Sequence, residues 1–121
     1  MGKTNKEIGD EGEQLAVDFL KSRGYEIIIK NYRFGRGEID IIVKDPNDGF
    51  LVFVEVKSRQ NLEYGEPEYA VTQSKIKQIK KMARLYIYEN KYEEIECRFD
   101  VIAILFKEEL PPEITHLENA F

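Results

Sequence analysis

The chain has 121 residues, 42% hydrophobic and 34% charged, with a net charge of −5 at pH 7, a size and composition that suit one soluble domain with its own core. One cysteine, Cys97, and one histidine, His116, exclude an intrachain disulfide framework, a Cys-rich zinc site and a His-rich metal cluster, so oxygen ligands are expected for any metal. No apolar run approaches the roughly 18 residues that cross a bilayer, and the first residues lack the apolar stretch of a signal peptide, so a soluble cytoplasmic protein is expected.

From Lys6 to about Arg23, Ile8, Leu15, Ala16, Phe19 and Leu20 recur at helical spacing, and Gly24 ends the run. Gly9 and Gly12 fall within the same stripe, where they allow close approach of the helix to a neighbouring layer. A strand is predicted over Tyr25 to Arg33, followed by turn signals at Gly35 and Gly37. Gly37 to Val43 alternates as a second strand, with Ile39, Ile41 and Val43 expected on one face and Glu38, Asp40 and Ile42 on the other.

The turn formers from Asp45 to Gly49 predict a hairpin into a third strand, Phe50 to Lys57. A loop of about a dozen residues follows, carrying Tyr64 and Tyr69, which could stack on bases or anchor the loop. Thr72 to Asn90 reads as a second helix and Cys97 to Phe106 as a strand buried on both faces. Pro111 and Pro112 are expected to end regular structure and leave a short acidic tail from about residue 107. The expected whole is a single α/β domain over 1–121, with helices flanking a mixed sheet in the order α-β-β-β-α-β.

Charge is unevenly placed. The net acidity falls in the last third of the chain, whereas residues 73–84 carry five basic side chains and no acid, so a local positive surface is possible on an acidic protein. Cys97 reads as a small buried core residue, Arg98 and Asp100 share a strand face and could form a structural ion pair, and His116 falls in the tail.

The residues with the clearest chemistry are Glu55 and Lys57, two apart on one strand face and about 6.6 Å apart along the backbone. Alone, such a short and common pair reads as a strand end surfacing with a solvated ion pair. Hairpin pairing could, however, bring Asp40 beside Glu55, and two carboxylates on neighbouring strands suit a hard cation such as Mg²⁺. Glu13 is the one acid of the first helix at the edge of its apolar stripe. Lys75 falls on the apolar face of the second helix and either snorkels past the helix end or reaches into a site. Lys77, Lys81 and Arg84 face outward, and Arg33, Arg36 and Arg59 lie near the ends of the site strands, where phosphate contact and simple solvation are both open.

The blocks GDEGEQLAVDFLKSRGYEIIIKNYR, GEIDIIV, VFVEVKSR and CRFDVIAI, with a Lys-rich helix before the last, resemble the YraN-like proteins of the restriction-endonuclease-like superfamily over about residues 5–106. That resemblance implies a PD-(D/E)xK nuclease core similar to that of archaeal Holliday-junction resolvases. Asp40 and Glu55 would hold Mg²⁺ or Mn²⁺ with the backbone carbonyl of Val56, Lys57 would be the motif lysine and Glu13 the helix-one acid. Ile39 stands where the motif has proline, which supplies no ligand.

The function expected is metal-dependent hydrolysis of DNA, branched or single-stranded, by catalytic Glu13, Asp40, Glu55 and Lys57, with Lys75, Lys77, Arg36 and Arg59 on the nucleic acid and a homodimer as a possible assembly. The alternative is a catalytically silent nucleic-acid-binding or protein-interaction module on the same fold.

Overall fold

The computed structural model describes residues 3–60 and 71–121. Helix α1 (Asn5–Ser22) starts at Thr4, whose side chain accepts the Glu7 N–H while Glu7 reaches back to the Thr4 N–H, a reciprocal capping box. Strands β1 (Glu26–Phe34), β2 (Gly37–Lys44) and β3 (Leu51–Arg59) follow, then α2 (Gln73–Glu89), β4 (Cys97–Lys107) and β5 (Leu110–Leu117). They form one sheet in the order β1-β2-β3-β4-β5, with β3 and β4 parallel and the other pairs antiparallel. This mixed α/β sheet agrees with a restriction-endonuclease-like core. No helix among the described residues is long and apolar enough to cross a membrane.

Two cores lie on opposite faces of the sheet. On one, Ala16, Val17 and Leu20 of α1 pack on Ile41, Val43, Val52, Val54, Ile102 and Ile104. On the other, Ile79, Met82, Ala83 and Tyr86 of α2 pack on Ile39, Ile42, Leu51 and Phe53. Both helix faces match the periodicity of the sequence. β4 is buried from Arg98 to Phe106 except for half-buried Phe99, as its continuous apolar run predicts.

Gly12 is the point of closest approach between α1 and the sheet. A Cβ built there would sit 1.8 Å from Ser58 Oγ and 2.9 Å from Ser58 Cβ. Gly12→Ala is therefore expected to lower stability by about 1–3 kcal/mol through overpacking, despite the better helix propensity of alanine; urea unfolding measures it.

Three expectations need correction. Ile39 does not share a face with Ile41 and Val43 but packs with Ile42 beneath α2. The cause is Asn31, whose φ of 54° lies between the Lys30↔Ile41 and Tyr32↔Ile39 pairs, opposite Asp40. A left-handed residue there twists β1, and β2 turns with it, so the alternation reverses at Asp40.

Second, the acidic tail is an ordered strand. Pro111 and Pro112 do not end the structure, because they lie in an edge strand at the register shift between the Lys107↔Leu110 and Leu105↔Glu113 pairs, where the ladder is interrupted. The chain then returns to the core: the Ala120 N–H donates to the Phe99 carbonyl at 2.7 Å, and the Phe121 ring stacks on Phe99. Third, Cys97 is half-buried at the start of β4 rather than enclosed.

At the end of the sheet where β3 and β4 begin, Arg98 is the hub of a buried polar cluster. Its guanidinium donates to Asp45 (2.8 Å), Asp48 (3.3 Å), Asp100 (3.0 Å) and the Tyr25 hydroxyl (2.8 Å). Asp100 also accepts the Asn119 N–H at 2.9 Å and lies 2.8 Å from His116 Nε2. The expected Arg98–Asp100 pair is thus part of a staple joining the β2–β3 turn, the α1–β1 corner, β4 and the chain end.

Candidate active site

The site is built where two strands part. β2 and β3 pair from Ile41↔Val54 to Lys44↔Leu51; beyond that point β2 continues against β1 and β3 continues against β4 as far as Arg59. Asp40 and Glu55 are the first residues past this fork. The Val56 N–H, which has no strand partner on the β2 side, donates to Asp40 Oδ2 at 2.8 Å. In an extended strand the N–H and C=O of one residue point the same way, so the Val56 carbonyl also faces the fork.

Asp40 and Glu55 lie close enough to share a proton, and each opposes the ionisation of its neighbour. Burial, and then the Asp40 charge, push the Glu55 carboxyl up to about 8, with Lys75 and Lys57 working against the rise. Burial likewise raises Asp40, opposed by the Val56 N–H. Glu55 Oε2 is buried and has no hydrogen-bond partner among the described residues, a state that is costly for a carboxylate oxygen unless a cation or proton meets it.

Glu13 arrives from α1. It is half-buried, takes a hydrogen bond from the Asn31 side chain, and is raised by burial and by Asp40. A cleft of about 600 Å³ opens over these groups, bounded by Asn5, Gly9 and Glu13 on α1 and by Glu55, Val56, Ser58 and Arg59 on β3, with Asp40 at its base.

Of the residues proposed from sequence, Glu13, Asp40, Glu55, Val56 and Arg59 border this one cleft. Lys57 and Lys75 act on Glu55 through their charge, and Lys75, half-buried in the first turn of α2, acts on Asp40 as well. Lys77 is exposed on α2 and Arg36 is exposed at the β1–β2 turn; neither borders the cleft. Tyr64 and Tyr69 lie outside the described residues.

Sequence reasoning missed Asn5, Asn31 and Ser58. A signal for the first existed in the four-residue spacing of Asn5, Gly9 and Glu13, which puts all three on one line of a helix. For Asn31 there was none, because its role follows from a backbone twist.

The site's donor set is hard. Among the described residues no three His, Cys, Asp or Glu side chains gather as a metal cage; the oxygen atoms the fork offers a cation would be the two carboxylates and the Val56 carbonyl. That set suits Mg²⁺ or Mn²⁺, ions that retain water or substrate oxygens, and the unpartnered Glu55 oxygen is the observation that fits a cation there.

The family model described as "Uncharacterised protein family UPF0102" matches residues 12–104. The chain belongs to the UPF0102 family. It is 48% identical to a UPF0102 protein of Trichlorobacter lovleyi across all of this chain and 94% of that one. It is 50% identical to a UPF0102 protein of Natranaerobius thermophilus over 97% of this chain and 98% of that one. A third UPF0102 protein, from Thermodesulfovibrio yellowstonii, is 49% identical over 95% of this chain and 96% of its own. The matched span of the UPF0102 model includes Glu13, Asp40, Glu55, Lys57 and Lys75.

Proposed function

We propose that this UPF0102 protein is a divalent-metal-dependent nuclease of the restriction-endonuclease-like superfamily, hydrolysing phosphodiester bonds in branched or otherwise structured DNA in the cytoplasm. The observation that carries the reading is the fork itself, where Asp40 and Glu55 converge beneath a cleft with one buried carboxylate oxygen left without a partner among the described residues. Asp40, Glu55 and the Val56 carbonyl would hold Mg²⁺ or Mn²⁺. When bound, such an ion supplies charge for the developing phosphoryl oxyanion and lowers the pKa of water.

The chain's own residues do the rest. Lys57, on the face of Glu55, orients the attacking water or meets negative charge on the phosphoryl oxygens. Glu13 hydrogen-bonds water on the α1 side of the dyad. Lys75 offsets the carboxylate charge and gives an approaching phosphate a cationic partner; Arg59 adds a second on the cleft, and Lys77 and Arg36 would meet only DNA that extends beyond it. A two-fold dimer would give one site to each strand of a branch.

The test is incubation with branched, single-stranded and duplex DNA in Mg²⁺ or Mn²⁺, beside Glu55→Ala and Lys57→Ala. Wild-type cleavage is expected to fall by at least 10²-fold in either variant, as it does when a transition-state donor is removed. Equal cleavage by all three proteins assigns it to a contaminant and removes the proposal.

A further inference from the structure

Two glycines of α1 sit three residues apart with opposite surroundings. Gly12 is pressed against Ser58, whereas a Cβ built on Gly9 meets nothing within 4 Å among the described residues. Gly9 is exposed, helical and without a positive φ. Packing and turn geometry therefore do not require glycine there, and glycine is the least favourable residue in a helix interior after proline. What lies over Gly9 is the cleft.

Asn5, Gly9 and Glu13 form one line along α1, about 12 Å long at 1.5 Å per residue. Across the cleft, Glu55 to Arg59 runs about 13 Å as an extended strand. The channel between them has two chemically different ends: Glu13, Asp40 and Glu55 at one, and Asn5 and Arg59 at the other. Its volume of about 600 Å³ is that of a small-ligand site. An unpaired strand brings one backbone into such a channel, whereas a duplex must also place a second backbone across a groove about 6–12 Å wide, so the single strand is the better fit.

Resting on the nuclease reading above, we propose that Gly9 is a specificity-determining residue: its bare backbone lets the sugar-phosphate chain of an unpaired DNA strand lie against α1, with Asn5 and Arg59 holding the phosphate next to the one over the acidic dyad. Any side chain at position 9 projects into that path.

The probe is a fluorescent single-stranded oligonucleotide, beside its fully paired duplex, titrated by anisotropy in Ca²⁺ with wild type, Gly9→Ala, Gly9→Gln and Gly9→Leu. Thermal unfolding and Mn²⁺ uptake by calorimetry are measured on the same proteins. Single-strand affinity is expected to fall in order of side-chain size, at least tenfold for leucine, while the melting temperature stays level or rises and Mn²⁺ uptake is unchanged. Gln14→Leu, exposed on the same helix outside the cleft, leaves all three readouts as in wild type.

Wild-type affinity in Gly9→Leu, with Mn²⁺ uptake intact, overturns the role of Gly9 and leaves the nuclease reading standing. Should leucine impair folding, Gly9→Ala decides the matter, since alanine favours the helix and adds one carbon. Duplex binding as tight as single-strand binding, and equally weakened by leucine, overturns the assignment to an unpaired strand. Absence of Mn²⁺ uptake by the wild type removes the metal site and this inference with it.

Discussion

In the absence of divalent metal, the stability of the wild-type protein is expected to fall as pH rises from about 5 to 8, and then to level off. The Glu55 carboxyl is pushed from about 4.5 in the unfolded chain to about 8 in the fold, first by burial and then by Asp40. Between those values the folded state holds a proton that the unfolded state has released. Stability therefore drops with increasing pH, by up to about 1.4 kcal/mol per unit. Below about 4.5 both states are protonated at this group, and above 8 both are ionised, so Glu55 adds no slope in either range.

Glu55→Gln imitates the protonated carboxyl and should flatten this dependence, making the variant more stable than the wild type at pH 8 in EDTA. Saturating Mg²⁺ or Mn²⁺ should stabilise the wild type most at high pH, where the cation does not compete with a proton, and should leave Glu55→Gln nearly unaffected. Urea unfolding at one-unit steps from pH 5 to 9, with EDTA or Mn²⁺, measures both effects. A flat wild-type curve in EDTA would show that the two carboxylates do not confront each other in the folded protein.

Arg98→Met is expected to lower stability by about 3–5 kcal/mol, because it strips the cation from the carboxylates of Asp45 and Asp100, both buried. Its pH signature is opposite to that of Glu55. Burial opposes ionisation of Asp100, but His116, Arg98 and the Asn119 N–H outweigh it and hold the carboxyl below the usual range. Asp45 is likewise lowered, with Asn47 and Arg98 overcoming burial. A carboxylate lowered in the fold stabilises it above about 3.8, and that contribution is lost as pH falls through the folded value.

Wild-type protein should therefore lose the staple only in acid, while Arg98→Met lacks it already at pH 7. Because Arg98 stands opposite Val52, three residues before Glu55 on β3, and bonds Asp45, Asp48, Asp100 and Tyr25 rather than the carboxylate dyad, Mn²⁺ uptake by whatever fraction of Arg98→Met remains folded should match that of the wild type. Urea unfolding at pH 7 and pH 4 with calorimetry checks both points; a loss under 1 kcal/mol would make the cluster a solvated surface feature.

The two helices were readable from spacing because burial of one face imposes a period of 3.6 whatever the partner is. Thr4 and Thr72 sit at the N-caps where hydroxyl chemistry puts them. β3 and β4 were readable from their apolar runs, although nothing local shows that the two are parallel neighbours. The end of the chain was misread because two prolines look like a terminator until the strand that holds them is known to lie at an edge. His116 looked incidental, and only the Asp100 partner of Arg98 was legible, for a related reason: the Asp100 partner of His116 and the Asp45 and Tyr25 partners of Arg98 lie far along the chain from them.

The candidate site divides in the same way. The facing of Glu55 and Lys57 follows from the two-residue period of a strand, and the position of Glu13 follows from its helix, so local geometry alone selected them. The convergence of Asp40 on Glu55 needed the hairpin register, and the open fork needed β2 to leave β3 after Ile41. That departure coincides with the left-handed Asn31 across the ladder. Residue types and periods determined the elements, their buried faces and the chemistry on offer, since these depend on neighbours within a few positions. Only tertiary structure decided which carboxylates meet and, among the described residues, which oxygen is left without a partner and which glycine has no neighbour over it, because each depends on where chain segments remote in sequence come to rest.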